Sequence, residues 1–176
     1  MAKDVKTMED LFLEEIRDLL DAEKQITKAL PKMAKAASSE ELSFAFNEHL
    51  EQTRGHVDRL ERIFSEIGAK SGGVKCAAME GLLKEGDEMV RMTDPGMVRD
   101  AGLIAAAQRV EHYEMAGYGS ARTFANLLGR NSAADLLEET LEEERETDEN
   151  LSELAESMVN QRAMTESSQT GSAGGK

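Results

Sequence analysis

A chain of 176 residues, 40% of them apolar, is long enough for one domain with its own hydrophobic core. The 35 acidic and 21 basic residues give a formal charge of -14, which disfavours nucleic acid as a partner and favours metal cations. The sequence has no long apolar run, no signal-like start and a single cysteine, so it predicts a cytoplasmic protein without membrane contact or an internal disulfide.

The first two predicted helices are long and amphipathic. The composition is rich in Ala, Leu, Met, Glu, Lys and Arg and contains two prolines, which predicts an all-α protein. One helix is predicted over residues 7–36, and a second begins after Ser38 and Ser39, as a capped helix would, and stops at Gly68. A glycine-rich turn then leads into a shorter helix over residues 74–92, which the TDPG turn ends.

Two more long helices are predicted in the second half of the chain. One spans residues 97–128 and stops at Gly129, and the other starts at residues 131–132 and reaches about residue 161. The final stretch TESSQTGSAGGK has no large apolar residue to bury. The predicted organisation is one domain over residues 1–162 and a disordered tail over residues 163–176.

The connection between the second and third long helices is the main clue to topology. It has about 25 residues, enough to cross the length of a bundle, whereas an up-down-up-down bundle uses shorter loops. The sequence therefore favours a ferritin-like four-helix bundle with a long crossover that contains a short fifth helix. The plain up-down-up-down bundle remains the alternative.

Carboxylates interrupt the apolar stripes of three of the four long helices. Glu23 lies in the stripe of the first, Glu111 and Glu114 in that of the third, and Glu144 and Asp148 in that of the fourth. All five are within a few residues of the midpoint of their helix, and midpoints coincide in an antiparallel bundle. We therefore predict that these acids converge at one level of the core.

The second helix offers nitrogen at the matching height. Thr53 is central there, while His49 and His56 lie two turns apart on one flank and Gln52 lies further round. We predict His56 as an inward nitrogen ligand. The roles of His49 and Gln52 stay open.

Several carboxylates in one apolar core repel one another, and two divalent cations would offset that repulsion. An oxygen-rich donor set favours two iron or manganese ions over zinc. The predicted metal ligands are Glu23, His56, Glu111, Glu114, Glu144 and Asp148. In the alternative, each acid is a snorkelling side chain or the partner of a buried arginine; the available arginines are Arg17, Arg54, Arg109 and Arg145.

The chain resembles the YciE/YciF family of bacterial ferritin-like proteins from about residue 5 to residue 158. The resemblance rests on the stretches IRDLLDAEKQITKALPKMAKAA, FNEHLEQTRGHVDRLERIF, KCAAMEGLLKEG, AAAQRVEHYEMAGYGSARTFA and LLEETLEEERETDENLSELA. It implies a cytoplasmic four-helix bundle, commonly a homodimer, that is associated with stress responses and similar to rubrerythrins. The acids that recur in this family fall on the five inward carboxylates.

The sequence also departs from the di-iron pattern of ferritins and rubrerythrins, which contains Glu-x-x-His pairs. Thr53 stands three residues before His56, and Arg109 stands three before His112. The resemblance thus supports the fold and the location of the site more than a particular reaction.

Two functions follow as hypotheses. In the first, a di-metal carboxylate site reacts with peroxide or oxygen, Glu111 or Glu144 bridges the metals, and Tyr113 or Tyr118 donates an electron or a proton. In the second, the protein is a non-enzymatic dimeric stress protein whose buried acids form a polar or metal-stapled network. The catalytic residues, the substrate and the electron donor are left unassigned.

Overall fold

The structure is a computed structural model that describes residues 4–172, with side chains described for residues 4–166. All regular structure in this range is helical, as predicted. The elements are α1 (Met8–Ala36), α2 (Glu40–Ile67), α3 (Ala77–Met92), α4 (Met97–Leu127), α5 (Asn131–Leu154), a π-helical segment (Ala155–Val159) and α6 (Asn160–Ser172). Within residues 4–172, no helix combines the length and the apolar character needed to span a bilayer.

Local capping explains where the first two helices begin and where the second one ends. The Thr7 hydroxyl accepts a hydrogen bond from the Asp10 amide at 3.0 Å, and the Ser39 hydroxyl accepts one from the Leu42 amide at 3.2 Å. Gly68 ends α2 with a φ of 68°, in the left-handed region that glycine adopts without strain. The predicted cap at residue 39 and the predicted stop at residue 68 are confirmed.

Four long helices form the bundle. α1 and α5 each pack against both α2 and α4, and α3 lies against α4 and α1. The buried apolar side chains form two clusters, one around Phe46 and Leu103 and the other around Phe12 and Leu137. In each long helix of the bundle, the stretch between the two clusters carries buried polar residues.

Contacts at the two ends of the bundle show which helix termini lie together. The buried Asp100 carboxylate, at the start of α4, accepts hydrogen bonds from the Ser38 and Ser39 amides at 2.8 and 2.7 Å, in the turn between α1 and α2. At the other end, the Arg130 guanidinium, just after α4, lies 2.6 Å from the Glu9 carboxylate near the start of α1. The start of α4 is therefore beside the end of α1, and its end is beside the start of α1.

Helical structure extends further toward the C-terminus than the sequence predicts. The predicted last helix stops near residue 161 and the predicted tail starts at residue 163, but α6 continues to Ser172. Val159 of the π segment is fully buried, and the Glu166 carboxylate accepts a hydrogen bond from the Met97 amide at 2.9 Å. These contacts give the segment an anchor on the N-terminus of α4, where a negative charge is favourable. Residues 173–176 lie outside the described residues.

Candidate metal centre

Six ionisable side chains from the four bundle helices meet between the two apolar clusters. Each is at most 4% exposed. They are Glu23 of α1, His49 and His56 of α2, Glu111 and Glu114 of α4, and Glu144 of α5. The structure thus brings together five of the six predicted ligands and adds His49. A group of buried carboxylates is costly unless counter-charges offset it.

The six side chains form two groups that share Glu144. His49, Glu111, Glu114 and Glu144 make one group, Glu23, His56 and Glu144 make the other, and within each group the offered atoms lie within 4.8 Å of one another. One oxygen of Glu144 is 3.0 Å from His56 Nδ1, and the other is 3.9 Å from His49 Nε2. Glu144 therefore faces both groups, as a carboxylate that bridges two cations does.

Most of the inward-facing atoms have no hydrogen-bond partner among the described residues. These atoms are Glu23 Oε2, His49 Nε2, His56 Nδ1, Glu111 Oε2, and both carboxylate oxygens of Glu114 and of Glu144. Although His56 Nδ1 is within ion-pair distance of two carboxylates, its geometry is not that of a hydrogen bond. Buried polar atoms are rarely unpaired, so lone pairs directed at one shared region fit cation ligands.

Burial and mutual repulsion perturb the carboxylates. Burial, followed by the negative charges of Glu144 and Glu23, raises the pKa of Glu111 and of Glu114 well above the usual range. The pKa of Glu23 is also raised, mainly by burial. Burial acts in the same sense on Glu144, but the neighbouring His56 and His49 outweigh it and hold the pKa of that carboxyl below its ordinary value.

Glu143 and Arg59 hold His56 from outside the group. His56 Nε2 lies 2.8 Å from a Glu143 oxygen, and the Arg59 guanidinium donates to both oxygens of Glu143 at 2.7 Å. The hydrogen bond from His56, opposed by partial burial and reinforced by Arg59, lowers the pKa of Glu143 to about 2. Burial alone would lower the pKa of His56, but the surrounding carboxylates raise it to about 12. Glu143 is not among the ligands or partners predicted from the sequence, because pairing between helices leaves no local signal.

His49 is the nitrogen donor that the sequence left open. Its Nε2 lies 3.4 Å from a Glu111 oxygen, and its Nδ1 lies 3.3 Å from both Gln52 Oε1 and Thr147 Oγ1. Thr53 occupies the central position of α2, where its hydroxyl donates to the His49 carbonyl at 2.7 Å. The spacing of two turns between the histidines lets both reach the buried acids from one helix.

Asp148 is the predicted ligand that the structure does not bring to the group. It accepts a hydrogen bond from the Gln108 amide at 3.1 Å and lies 3.3 Å from His112 Nε2, with 18% of its side chain exposed. Four residues beyond Glu144, it is rotated by about 40° around α5 and raised by one turn. That rotation carries its carboxylate to the edge of the interface between α4 and α5.

The contacts of the arginines do not support the alternative in which each inward acid is paired with a buried arginine. Arg17 donates to the Lys70 carbonyl at 3.2 Å, Arg109 donates to the carbonyl one turn before it at 3.2 Å, and Arg54 is paired with Glu51. None of these bonds involves a buried acid, and the side chain of Arg145 is exposed.

The two tyrosines occupy different environments. The Tyr118 hydroxyl is fully buried and donates to Glu23. The Tyr113 hydroxyl instead donates to Asp18 and lies 3.1 Å from the sulfur of Cys76. Tyr118 alone is therefore hydrogen-bonded to a member of the buried group.

Known proteins are similar to this chain in both sequence and fold. The domain of unknown function DUF892 matches residues 7–164. Protein YciF of Escherichia coli K12 is 51% identical over 160 residues, which cover 90% of this chain and 96% of that protein.

Solved structures agree with this match. The crystal structure of the E. coli stress protein YciF has a TM-score of 0.85 and 51% identity, covering 89% of this chain and 99% of that one. YcfI of Rhodopseudomonas palustris, described as a candidate structural protein, has a TM-score of 0.83 and 42% identity, covering 86% and 97%. A Xanthomonas campestris protein with 21% identity and a TM-score of 0.74 shares the fold, covering 92% and 99%.

Proposed function

The chain belongs to the DUF892 family, and on that premise we propose that it is a stress-associated protein whose core holds two divalent metal ions. The family match also confirms the resemblance stated from the sequence. The observation that carries the proposal is the position of Glu144 between two groups of unpartnered buried donors. A shared carboxylate flanked by terminal acids and histidines is the donor set of a di-metal carboxylate centre.

Charge balance supports two cations rather than one. Glu23, Glu111, Glu114 and Glu144 carry four negative charges when ionised, and two divalent ions with two neutral histidines would neutralise them. One divalent ion would leave two buried negative charges, which the apolar clusters on either side of the group would not stabilise.

The donor set favours iron or manganese. Four carboxylates and two imidazoles form an oxygen-rich mixture, whereas zinc sites use more nitrogen and sulfur. Glu144 would bridge, with His49, Glu111 and Glu114 on one side and Glu23 and His56 on the other. Bound iron or manganese would supply redox chemistry toward peroxide or oxygen.

Residues of the chain itself have two tasks in this proposal. The apolar clusters exclude water from the bundle above and below the centre, because they pack on both sides of it. The Tyr118 hydroxyl donates a hydrogen bond to Glu23 and so keeps a proton next to the group that Glu23 forms with His56 and Glu144.

We further propose a ferritin-like topology in which the segment containing α3 crosses over between α2 and α4. The supporting contacts place the starts of α2 and α4 at the same end of the bundle, since Asp100 binds the turn that precedes α2. The pattern of donors differs from Glu-x-x-His, because α4 supplies Glu111 and Glu114 and α2 supplies two histidines.

Elemental analysis tests the metal centre. Untagged protein from iron- and manganese-supplemented cells should carry about two metal ions per chain. A Glu23→Ala, Glu111→Ala, Glu144→Ala variant should lose them and remain helical by circular dichroism. The matched control replaces three exposed acids of α5, Glu142→Ala, Glu149→Ala and Glu153→Ala, and should keep the metals. A parent that stays metal-free after anaerobic Fe(II) loading would overturn the proposal.

A non-enzymatic role is the second candidate, and the description of the relative YcfI favours it. In that role the same acids form a polar or metal-stapled network that stabilises a cytoplasmic homodimer. Metal-loaded protein that consumes no peroxide and is equally stable with zinc would favour it. Gel filtration at dimer size would support the dimer and exclude a ferritin-like storage shell.

A further inference from the structure

A cavity of about 280 Å³ opens between α2 and α5 and reaches the buried group. The exposed side chains of Glu48, Glu146 and Asn150 stand at its rim, and the buried His49 and Glu111 lie at its inner end. The volume is sufficient for several water molecules and hence for a partly hydrated cation.

The inner end of this cavity carries donors without partners. His49 Nε2 and Glu111 Oε2 are both buried and make no hydrogen bond within the described residues, yet both residues line the cavity. They belong to the group that also contains Glu114 and Glu144. This half of the centre is therefore the one that the cavity reaches.

The other half is covered. Glu23 accepts a hydrogen bond from the buried Tyr118 hydroxyl, and His56 is covered by Glu143 and its partner Arg59. Neither Glu23 nor His56 lines the cavity. The two groups that share Glu144 thus differ in access, although their donor chemistry is alike.

We propose that this cavity is the route by which divalent cations enter, so that the group with His49 and Glu111 is loaded first and the group with His56 is filled across Glu144. The inference rests on the proposed metal centre and adds the path to it. Carboxylates at both the rim and the inner end give the route one sign of charge, which attracts cations and repels anions.

The test follows the rate of Co(II) binding to metal-free full-length protein by stopped-flow absorbance, together with the final stoichiometry. Ala45→Trp places a bulky side chain in the half-buried wall of the cavity. It should slow association by about tenfold or more, because binding then requires a conformational opening, and should leave the final stoichiometry unchanged. The matched control is Ala29→Trp in a separate cavity of about 80 Å³ beside α3, which should bind at the parental rate.

A charge variant keeps the test independent of the tryptophan's effect on folding. Glu48→Gln with Glu146→Gln should slow association about threefold or more at low salt, with the difference shrinking in high salt as screening increases. Unchanged rates in both the plug and the charge variants, with normal stoichiometry, would overturn the route while leaving the metal centre intact. A parent that binds no cobalt would overturn the metal centre itself, and the route with it.

Discussion

His56 Nε2 lies 2.8 Å from a Glu143 oxygen, so the ring nitrogen that faces the buried Glu144 is Nδ1. Glu143 is itself held by two hydrogen bonds from Arg59. A carboxylate that accepts the Nε2 proton fixes the orientation of the ring and leaves Nδ1 available for a metal. Glu143 is thus a positioning residue for the covered half of the proposed centre.

Removing this carboxylate should weaken metal binding without removing a ligand. We expect Glu143→Ala to reduce the affinity for Mn(II) or Co(II) by about 10- to 100-fold, because His56 then loses its fixed orientation. Competition with a chelator measures the affinity, and the ¹⁵N shifts of His56 report which nitrogen holds the proton. Glu139→Ala removes the exposed partner of Arg59 and is the matched control. Equal affinities in the two variants would contradict the positioning role.

Glu114 should oppose the stability of the metal-free protein. Both of its oxygens are buried and unpartnered among the described residues, and burial with neighbouring charges raises its pKa well above the usual range. We expect Glu114→Gln to raise the free energy of unfolding of metal-free protein at neutral pH by about 1–3 kcal/mol, since a neutral amide avoids the free-energy cost of protonating or charging this buried carboxyl. Urea denaturation measures the change.

The same substitution should lower metal occupancy, because an amide is a weaker ligand than a carboxylate. Glu142→Gln, on the exposed face of α5, should change the free energy of unfolding by less than about 0.5 kcal/mol and leave the metals bound. A Glu114→Gln protein that is less stable when metal-free would show that the carboxyl has a stabilising role in the fold.

Asp100 is expected to be the most sensitive polar residue outside the centre. Its fully buried carboxylate accepts hydrogen bonds from the Ser38 and Ser39 amides in the turn between α1 and α2. Asp100→Ala should cost about 2–4 kcal/mol, because it leaves two amide donors without their acceptor. Asp100→Asn should cost less, since one oxygen remains as an acceptor. Urea unfolding of both variants checks this order, and a cost below that of exposed substitutions would contradict it.

The elements of the fold were predictable because their signals are local. Apolar periodicity placed the long helices, and Ser39 and Gly68 marked the ends of α2 within one or two residues. The continuation to Ser172 was missed because its signal is tertiary: Val159 is buried against distant residues, and Glu166 binds the start of α4. No local pattern distinguishes such a helix from a polar tail.

The candidate site was predictable only as far as helix faces determine it. Glu23, Glu111, Glu114 and Glu144 interrupt the apolar stripes and converge as expected. The final direction of each side chain also depends on how its helix is rotated in the bundle, and the sequence does not specify that rotation. For this reason His49 turned inward although its role was open, and Asp148 turned toward α4 although it was a predicted ligand.

Metal-free protein should lose stability as pH rises. In the folded chain the pKa of Glu111 and of Glu114 is raised above the ordinary 4.5, so above about pH 4.5 the folded state holds protons that the unfolded state releases. His56 acts in the same sense above its ordinary 6.5, since its pKa is raised to about 12. The free energy of unfolding should therefore fall, by about 1.4 kcal/mol per pH unit for each such proton.

The lowered pKa of Glu143 adds no slope at neutral pH, because its contribution is complete above the ordinary 4.5 and is lost only as pH falls toward about 2. Urea unfolding of metal-free protein between about pH 5.5 and 8.5 measures the slope. Metal-loaded protein is the control, and its slope should be smaller or reversed, because bound cations keep the carboxylates ionised and displace the His56 proton. Equal slopes with and without metal would mean that these groups do not meet the metal, and the centre would have to be placed elsewhere.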